Sequence, residues 1–291
     1  PKLHLCGCSK CMSHNKPRIV FTDLDGSLLD HHDYSFNEAK PVLDDLCQQG
    51  IPVIPTSSKT RSEIEALRQQ LESQDPFIVE NGAAVFIPEN YFASAPVGTV
   101  CREGYWIKEF SSPRGHWLTL LAALESRFGG EFDSFYRLGP EVIASMTGLS
   151  LVAAKRANER DYSEPVQWLG SDPRKAEFIS ALRAQGANPL QGGRFLTVAG
   201  DCDKARALIW LRTVYEQALG TVQDIAIGDS GNDVAMLEAS RCALVIKSPV
   251  HDFPRLERQA NVSYSTGFGP AGWAEGVQQW LESTSAAKPL N

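Results

Sequence analysis

Short hydrophobic runs alternate with amphipathic segments near the start of the chain and again in its last third. Residues 18–22, 51–56 and 77–79 are β-rich runs bounded by turn residues, and they predict buried strands. The segments at 35–49 and 60–71 place apolar residues at helical spacing, and each opens with a hydroxyl residue followed by glutamate in the order of a capping box. Strands and helices in this alternation predict a parallel sheet covered on both faces.

The alternation stops in the middle of the chain, between residues 87 and 196. A polar stretch first extends to Phe110. Beyond it, the pattern predicts helices at 116–127, 141–146, 149–160 and 173–185, a strand at 165–169, and a hairpin around Gly192–Gly193. This mixture is an α+β pattern, and it predicts an inserted cap domain.

Strict alternation returns after Thr197. The predicted elements are a helix, a strand, a second helix and a second strand, at 203–218, 224–227, from about 232, and 243–246. The sequence therefore predicts the α/β class, with a Rossmann-like parallel-sheet core covered by helices and an inserted α+β cap domain. The predicted parts are a discontinuous core at 17–86 and 197–291, the cap at 87–196, and an N-terminal extension at 1–16.

Composition and charge narrow the class of protein. The 291 residues are 43% hydrophobic and 22% charged, which is typical of a soluble globular protein. A formal net charge of -7 would repel a phosphate backbone, so we expect no nucleic-acid partner. No apolar stretch reaches the roughly 18 residues that span a bilayer, and residues 1–17 lack the apolar core of a signal peptide. We therefore expect a cytoplasmic protein with no membrane partner.

The seven cysteines do not indicate a disulfide framework, because their number is odd and four of them are widely spaced. Cys6, Cys8 and Cys11 instead form a tight cluster that is flanked by His4 and His14. Thiolates and imidazoles are the ligands that zinc prefers. The alternative is a mobile extension that carries thiols without a metal, and the sequence leaves both open.

Acidic side chains directly follow two of the predicted core strands. Asp23 and Asp25 come after the strand at 18–22, and the segment GDSGND at 228–233 comes after the strand at 224–227. The carboxyl ends of neighbouring parallel strands converge on one crevice, so these carboxylates are expected to meet there. A cluster of hard oxygen ligands of this kind suits Mg²⁺.

Four motifs in this order resemble those of the haloacid-dehalogenase-like hydrolases, namely DLDGS at 23–27, a hydroxyl at Ser57, a lysine at Lys204 and GDSGND at 228–233. Further segments resemble one branch, the mannosyl-3-phosphoglycerate phosphatases: SSKT at 57–60, ENGA at 80–83, MTGLS at 146–150, RDYSEP at 160–165, GGRF at 192–195 and GPAGW at 269–273. The similarity runs from about Arg18 to Trp280 and includes the cap. Ser27 stands where threonine is common, and Ala271 stands where that branch often has an acid.

The resemblance implies catalytic roles for four side chains. Asp23 would be the nucleophile that forms an aspartyl-phosphate. Asp25 would protonate the departing alkoxide and then activate water against the intermediate. Ser57 would hydrogen-bond a phosphoryl oxygen, and Lys204 would offset negative charge on Asp23 and the transferring group.

The resemblance also implies Mg²⁺ as the cofactor. Asp23, the backbone carbonyl of Asp25, and Asp229 would ligate the ion, while Asn232 and Asp233 would orient these ligands or bind through water. The alternative for Asp229 and Asp233 is a local role as helix caps near Asn232.

Substrate contacts are implied less directly. An arginine can clamp the carboxylate of a glycerate group in bidentate fashion, although structural salt bridges use the same residue types. Lys59 either contacts the substrate or faces water, and Asn81 either contacts the substrate or forms a tight connection. The candidate substrate-binding residues are Ser58, Lys59, Asn81, Arg160, Glu164 and Arg194.

Taken together, the resemblance implies a Mg²⁺-dependent phosphoric monoester hydrolase whose partner is a small phosphorylated metabolite. The implied reaction is hydrolysis of mannosyl-3-phosphoglycerate to the compatible solute mannosylglycerate. The alternatives are glucosyl-3-phosphoglycerate or another sugar phosphate as substrate, a phosphomutase with the same core motifs, and a non-catalytic binding domain of this fold. Substrates that differ at one hydroxyl are not separated by these motifs.

Overall fold

The computed structural model describes residues 16–192 and 194–286. The predicted cluster of Cys6, Cys8 and Cys11, and Gly193 of the predicted hairpin turn, lie outside the described residues. In chain order the elements are β1 (Arg18–Thr22), α1 (Lys40–Gln48), β2 (Val53–Pro55), α2 (Arg61–Gln70), β3 (Phe77–Val79), β4 (Ala84–Pro88), β5 (Val100–Arg102), β6 (Tyr105–Glu109), α3 (Arg114–Phe128), β7 (Phe132–Ser134), α4 (Phe135–Thr147), α5 (Leu151–Asn158), β8 (Glu164–Trp168), α6 (Asp172–Ala184), β9 (Leu190–Gly192), β10 (Phe195–Val198), α7 (Lys204–Leu219), β11 (Gln223–Gly228), α8 (Val234–Ala239), β12 (Cys242–Lys247), β13 (Val262–Phe268) and α9 (Gly269–Ala286).

A five-stranded parallel sheet forms the centre of the core, with strand order β13-β12-β11-β1-β2. Successive residues of β1 face opposite sides of this sheet, as strand geometry requires. Ile19 and Phe21 pack with residues of α7 and α8 on one face, whereas Val20 packs with residues of α1 and α9 on the other. The predicted α/β class, with a parallel sheet covered by helices, is confirmed.

A second sheet, which is antiparallel and has the order β3-β4-β6-β5, continues from the edge of the first. A bridge between Thr56 and Ile78 joins the two sheets, and Ile87 of β4 is buried in the same hydrophobic cluster as β1. The polar stretch that reaches Phe110 therefore contains core strands that its sequence pattern did not reveal. The predicted start of the cap at residue 87 falls within β4, and we propose that the inserted unit begins after Phe110.

The inserted unit has its own antiparallel sheet, with the order β7-β8-β10-β9. Leu196 and Val198 of β10 pack with Phe128 of α3 and Phe178 of α6 in a separate hydrophobic core. Phe195 alternates with them along the strand and packs with α4 and α5 instead. The predicted hairpin is present as the antiparallel pair β9 and β10.

The two predicted capping boxes had different outcomes. Thr60 and Glu63 form the box at the start of α2, as predicted. The box predicted at Ser35 is wrong, because α1 begins only at Lys40 and the Ser35 hydroxyl accepts a hydrogen bond from the Asn37 N–H at 3.2 Å. A proline in the first turn of α1 suits the later start, since its fixed φ is already helical.

The last strand and helix, β13 and α9, complete the core beyond the predicted elements. Trp273 of α9 is fully buried, and its indole N–H donates to Oγ1 of Thr22 at 2.9 Å. This contact supports the carboxyl end of β1. None of the described helices, α9 included, is both long and apolar enough to cross a membrane.

Candidate active site

The acidic residues that follow β1 and β11 lie side by side at the carboxyl edge of the central sheet. These strands pair with Thr22 opposite Ile227, and the Asp23 N–H donates to the Ile227 carbonyl at 2.8 Å. This register sets Asp23 beside the start of the 228–233 segment. The convergence expected of parallel strands is therefore present.

Three carboxylates form a buried cluster at this edge. Asp23, Asp229 and Asp233 each offer an oxygen within 4.8 Å of the others, and their exposed fractions are 6%, 4% and 0%. The buried ammonium group of Lys204 lies between two of them, with Nζ 2.6 Å from Oδ1 of Asp23 and 2.6 Å from Oδ1 of Asp233. One ammonium group does not balance three ionised carboxylates, so the cluster could hold a further cation.

Burial and mutual repulsion shift the proton affinities of these groups. Burial, followed by repulsion from Asp233, raises the pKa of Asp23 to about 8, although Lys204 opposes the rise. Burial and Asp233 likewise raise the pKa of Asp229 to about 6, against the opposing effect of His251. Burial disfavours the charged form of Lys204, but Asp23 and Asp233 outweigh it and raise the pKa of the lysine. A bound divalent cation would favour the ionised carboxylates.

The backbone around the cluster holds the carboxylates in place. Oδ2 of Asp233 accepts hydrogen bonds from the N–H groups of Asp229 and Ser230, both at 3.1 Å. Gly26 has a φ of +78°, and a β-carbon there would lie 2.7 Å from Oδ2 of Asp229. A buried set of fixed carboxylate oxygens fits Mg²⁺, which prefers hard oxygen ligands.

Asp25 differs from the cluster in both exposure and partners. Its side chain is 42% exposed, and its Oδ2 lies 2.9 Å from Nζ of Lys59. Its Oδ1 is buried and has no hydrogen-bond partner among the described residues. Lys59 also lies 3.7 Å from Oε1 of Glu63, and 5.3 Å from the ring centroid of Tyr34. Burial opposes the charge of Lys59, but Asp25 and Glu63 outweigh it and raise the pKa of the lysine.

Two polar turns lie beside the carboxylates. Ser57 is buried, and its Oγ accepts a hydrogen bond from the Lys59 N–H at 3.2 Å. Asn81 has a left-handed φ of 60°, and its Oδ1 accepts a hydrogen bond from Nδ2 of Asn232 at 3.3 Å. The Asn232 side chain therefore joins the turn after β3 to the turn after β11.

A cavity of about 790 Å³ opens above these residues, between the core and the cap. Such a volume falls within the range of about 300–1,000 Å³ that is typical of small-molecule sites. Neither Lys59 nor Glu164 is among the described residues that line it. The predicted site residues that do line the cavity are Asp23, Asp25, Ser57, Ser58, Asn81, Arg160, Arg194, Lys204 and Asn232.

Besides Lys59, two predicted substrate-binding residues take part in ion pairs. Nη2 of Arg160 donates to the Ser58 carbonyl at 3.0 Å, and Nε of Arg160 lies 3.4 Å from Oε2 of Glu80. Arg160 thus lines the cavity and also ties the cap to the core. Glu164 is fully buried, and its Oε2 lies 2.5 Å from Nε of Arg114 within the cap. We therefore propose a structural role for Glu164.

Two further residues, His251 and Glu80, make contacts near the site that the sequence does not predict. Nε2 of His251, in the loop after β12, lies 3.3 Å from Oδ2 of Asp229. The buried carboxylate of Glu80 accepts hydrogen bonds from the Asp161 N–H at 2.8 Å and from Oγ of Ser163 at 2.5 Å. In both cases the partner is distant in sequence, so no spacing pattern reveals the contact.

Known proteins are similar to this chain in sequence and in fold. The family model of haloacid dehalogenase-like hydrolases matches residues 20–96. A Methanococcoides burtonii protein named glucosyl-3-phosphoglycerate/mannosyl-3-phosphoglycerate phosphatase is 35% identical over 264 residues, which cover 90% of this chain and 97% of that protein. A protein of the same name from Persephonella marina is 34% identical over 268 residues, with 90% and 97% coverage.

One solved structure has a fold similar to that of this chain. A protein from Thermoplasma acidophilum superposes with a TM-score of 0.64 at 17% identity, and the match covers 91% of this chain and 99% of that chain. The curated relatives match along nearly their whole length. The chain therefore belongs to the haloacid dehalogenase-like hydrolases, in the family of the glucosyl-3-phosphoglycerate/mannosyl-3-phosphoglycerate phosphatases.

Proposed function

We propose that this phosphatase hydrolyses mannosyl-3-phosphoglycerate to mannosylglycerate and inorganic phosphate, through an aspartyl-phosphate on Asp23. The observation that carries the proposal is the buried pair of Asp23 and Lys204, which lies in the wall of the cavity beneath the cap. Glucosyl-3-phosphoglycerate is the second candidate substrate, because the names of the relatives carry both compounds.

Asp23 acts as the nucleophile. Lys204 holds Oδ1 of its carboxylate at 2.6 Å and so orients the group. A carboxylate oxygen attacks phosphorus, the new P–O bond forms, and the bond from phosphorus to the glycerate oxygen breaks. When held by Asp23, Asp229 and the Asp25 carbonyl, with Asn232 and Asp233 as support, Mg²⁺ supplies charge neutralisation at the phosphate. Positioning and charge balance are what phosphoryl transfer chiefly requires.

Asp25 transfers the protons. In the first step it donates a proton to the departing alkoxide, so the product leaves as an alcohol. In the second step it takes a proton from the water molecule whose oxygen attacks phosphorus, and the bond to Asp23 breaks. Inorganic phosphate is released, one water molecule is consumed, and both aspartates return to their starting state.

The cavity wall supplies the substrate contacts. Ser57 lies beside the nucleophile and hydrogen-bonds a phosphoryl oxygen, while Ser58 and Asn81 line the same side. Arg160 and Arg194 are the arginines of the wall, and Arg194 is anchored within the cap by a hydrogen bond to the Met146 carbonyl. A guanidinium group matches the glycerate carboxylate in shape and charge.

Phosphate release tests this function directly. Wild-type enzyme with Mg²⁺ is assayed on mannosyl-3-phosphoglycerate, glucosyl-3-phosphoglycerate and simple sugar phosphates, and EDTA is expected to abolish turnover. Asp23→Asn removes the nucleophile while nearly preserving shape, and it should be inactive. Asp44→Asn, at an exposed position of α1, is the matched control and should retain activity. Failure to turn over either phosphoglycerate rejects the substrate class, whereas activity in Asp23→Asn rejects the mechanism.

A further inference from the structure

Lys59 is a partly buried cation that contacts Asp25, the proposed acid, and does not line the cavity. Its side chain is 18% exposed, and Nζ lies 2.9 Å from Oδ2 of Asp25. The cavity is lined by its neighbours Ser57 and Ser58 and by Asp25 itself. A direct contact between Lys59 and the substrate therefore has no support in this arrangement.

The surroundings of Lys59 hold its ammonium group against Asp25. Its backbone is anchored on both sides, because its N–H donates to Oγ of Ser57 at 3.2 Å and its carbonyl accepts from the Glu80 N–H at 3.0 Å. Oε1 of Glu63 lies 3.7 Å from Nζ, while Oε2 of Glu63 is bound by the N–H at the start of α2. The ring of Tyr34 covers the ammonium group at 5.3 Å.

The two oxygens of Asp25 are consequently not equivalent. Oδ2 is held by Lys59, whereas Oδ1 is buried without a hydrogen-bond partner among the described residues. A carboxyl group with one anchored oxygen is held in one orientation. Proton donation also leaves negative charge on Asp25, and an adjacent ammonium group offsets that charge.

We propose that Lys59 is a positioning residue for Asp25: it anchors Oδ2 and so holds the carboxyl group, which lines the cavity, in the orientation in which it exchanges the proton with the leaving group and then with water. The inference rests on the proposed phosphatase function, in which Asp25 is the acid and base. In the first step the proton moves from the Asp25 carboxyl group to the alkoxide while the P–O bond breaks, and in the second a water proton returns to the Asp25 carboxylate. Lys59 itself gains and loses no proton.

The role makes a prediction that depends on the leaving group. An alkoxide is a poor leaving group and needs the proton, whereas p-nitrophenolate departs without one. The constant kcat/KM covers the steps up to departure of the leaving group, so it isolates proton donation from the later hydrolysis. Loss of positioning should therefore lower kcat/KM for alkyl phosphates and spare an aryl phosphate.

The experiment compares wild-type enzyme with Lys59→Met and Lys59→Arg on three substrates, namely mannosyl-3-phosphoglycerate, glycerol 1-phosphate and p-nitrophenyl phosphate. Lys59→Met should lose about 100-fold in kcat/KM on both alkyl phosphates and less than about 3-fold on the aryl phosphate. Lys59→Arg keeps the cation and should recover most of the loss. Lys40→Met, which removes an exposed lysine paired with Asp44, is the matched control.

Each other outcome has a definite meaning. An equal loss of kcat/KM on all three substrates indicates a general structural defect. A loss confined to mannosyl-3-phosphoglycerate indicates that Lys59 contacts the substrate. Either result overturns the proposal, as does an unchanged kcat/KM on all three substrates. The ratio of alkyl to aryl activity does not depend on how much of the variant is folded. Wild-type turnover of glycerol 1-phosphate and p-nitrophenyl phosphate, but not of mannosyl-3-phosphoglycerate, would reject the proposed substrate, while the ratio of the two remaining activities still tests Lys59. No turnover of any substrate would overturn both proposals.

Discussion

Nζ of Lys204 lies 2.6 Å from Oδ1 of Asp23, and both groups are buried at the carboxyl edge of the central sheet. The lysine starts α7 and the aspartate directly follows β1, so the pair joins two elements that are far apart in sequence. A hydrogen bond between ions in a buried site is stronger than one between neutral groups. The pair therefore orients Asp23, the proposed nucleophile, before substrate arrives.

The variant Lys204→Met tests how much this pair contributes to catalysis. Removal of a preorganised charge at the transferring group is expected to lower kcat by about 100–1,000-fold. Lys155→Met, on the exposed side of α5, should leave kcat unchanged. Steady-state phosphate release gives kcat for both variants. A kcat of Lys204→Met within about threefold of wild type, on the order of the scatter between preparations, would contradict the proposed role of Lys204.

The stability of the metal-free protein should fall as the pH rises. Burial raises the pKa of Asp23 from 3.8 to about 8, so the folded state holds a proton that the unfolded state releases above pH 3.8. The unfolding free energy should therefore fall as pH rises towards about 8, by up to about 1.4 kcal/mol per pH unit. Asp229, whose pKa is raised to about 6, adds to the lower part of this window.

Urea unfolding in EDTA at several pH values from 5 to about 8 measures the effect, which Asp23→Asn should reduce. Saturating Mg²⁺ should flatten the dependence, because a bound cation keeps the carboxylates ionised. Metal-free stability that rises through this range would contradict the raised pKa of Asp23.

Gly26→Ala should weaken Mg²⁺ binding specifically. Its β-carbon would lie 2.7 Å from Oδ2 of Asp229 and displace that carboxylate. Gly104→Ala is the matched control, because Gly104 has a similar φ of +81° but nothing within 4 Å of the added carbon. Both variants should lose about 1–2 kcal/mol of stability to left-handed strain.

Only Gly26→Ala is expected to need more Mg²⁺, by about tenfold or more, since a displaced ligand costs on the order of 1.4 kcal/mol in binding. Titration of activity with Mg²⁺ gives the half-saturating concentrations. Equal concentrations in the two variants would show that the close approach of Gly26 to Asp229 has no bearing on the metal.

Glu164→Gln should destabilise the cap without changing the chemistry. The change leaves the Arg114 guanidinium, which is 14% exposed, without its carboxylate, and loss of one partner from a buried pair costs about 3–5 kcal/mol. Glu177→Gln removes an exposed carboxylate paired with Arg127 and should cost less than about 1 kcal/mol. Urea unfolding compares them; a direct substrate contact would instead raise KM in Glu164→Gln with little loss of stability.

The sequence by itself determined the α/β class and the convergence of the acids. Asp23 and Asp229 each follow a hydrophobic run at once, and this is a local pattern. Parallel pairing then brings the ends of β1 and β11 to the same edge, whatever the remaining chain does. The capping box at the start of α2 was predictable for the same reason, because all its atoms lie within a few residues.

Only the tertiary structure decided which partner each polar side chain meets. The local sequence around Lys59 and Glu164 suits a solvent-exposed, a substrate-binding or a buried residue equally. Their positions depend on partners that are distant in sequence, which are Asp25 for Lys59 and Arg114 for Glu164. Strands β4 to β6 were missed because a strand is stabilised by its neighbours, and exposed β5 carries no hydrophobic alternation of its own. Local chemistry thus placed Asp23 at a strand end, while non-local packing set how Asp25, Lys204 and the cap are held.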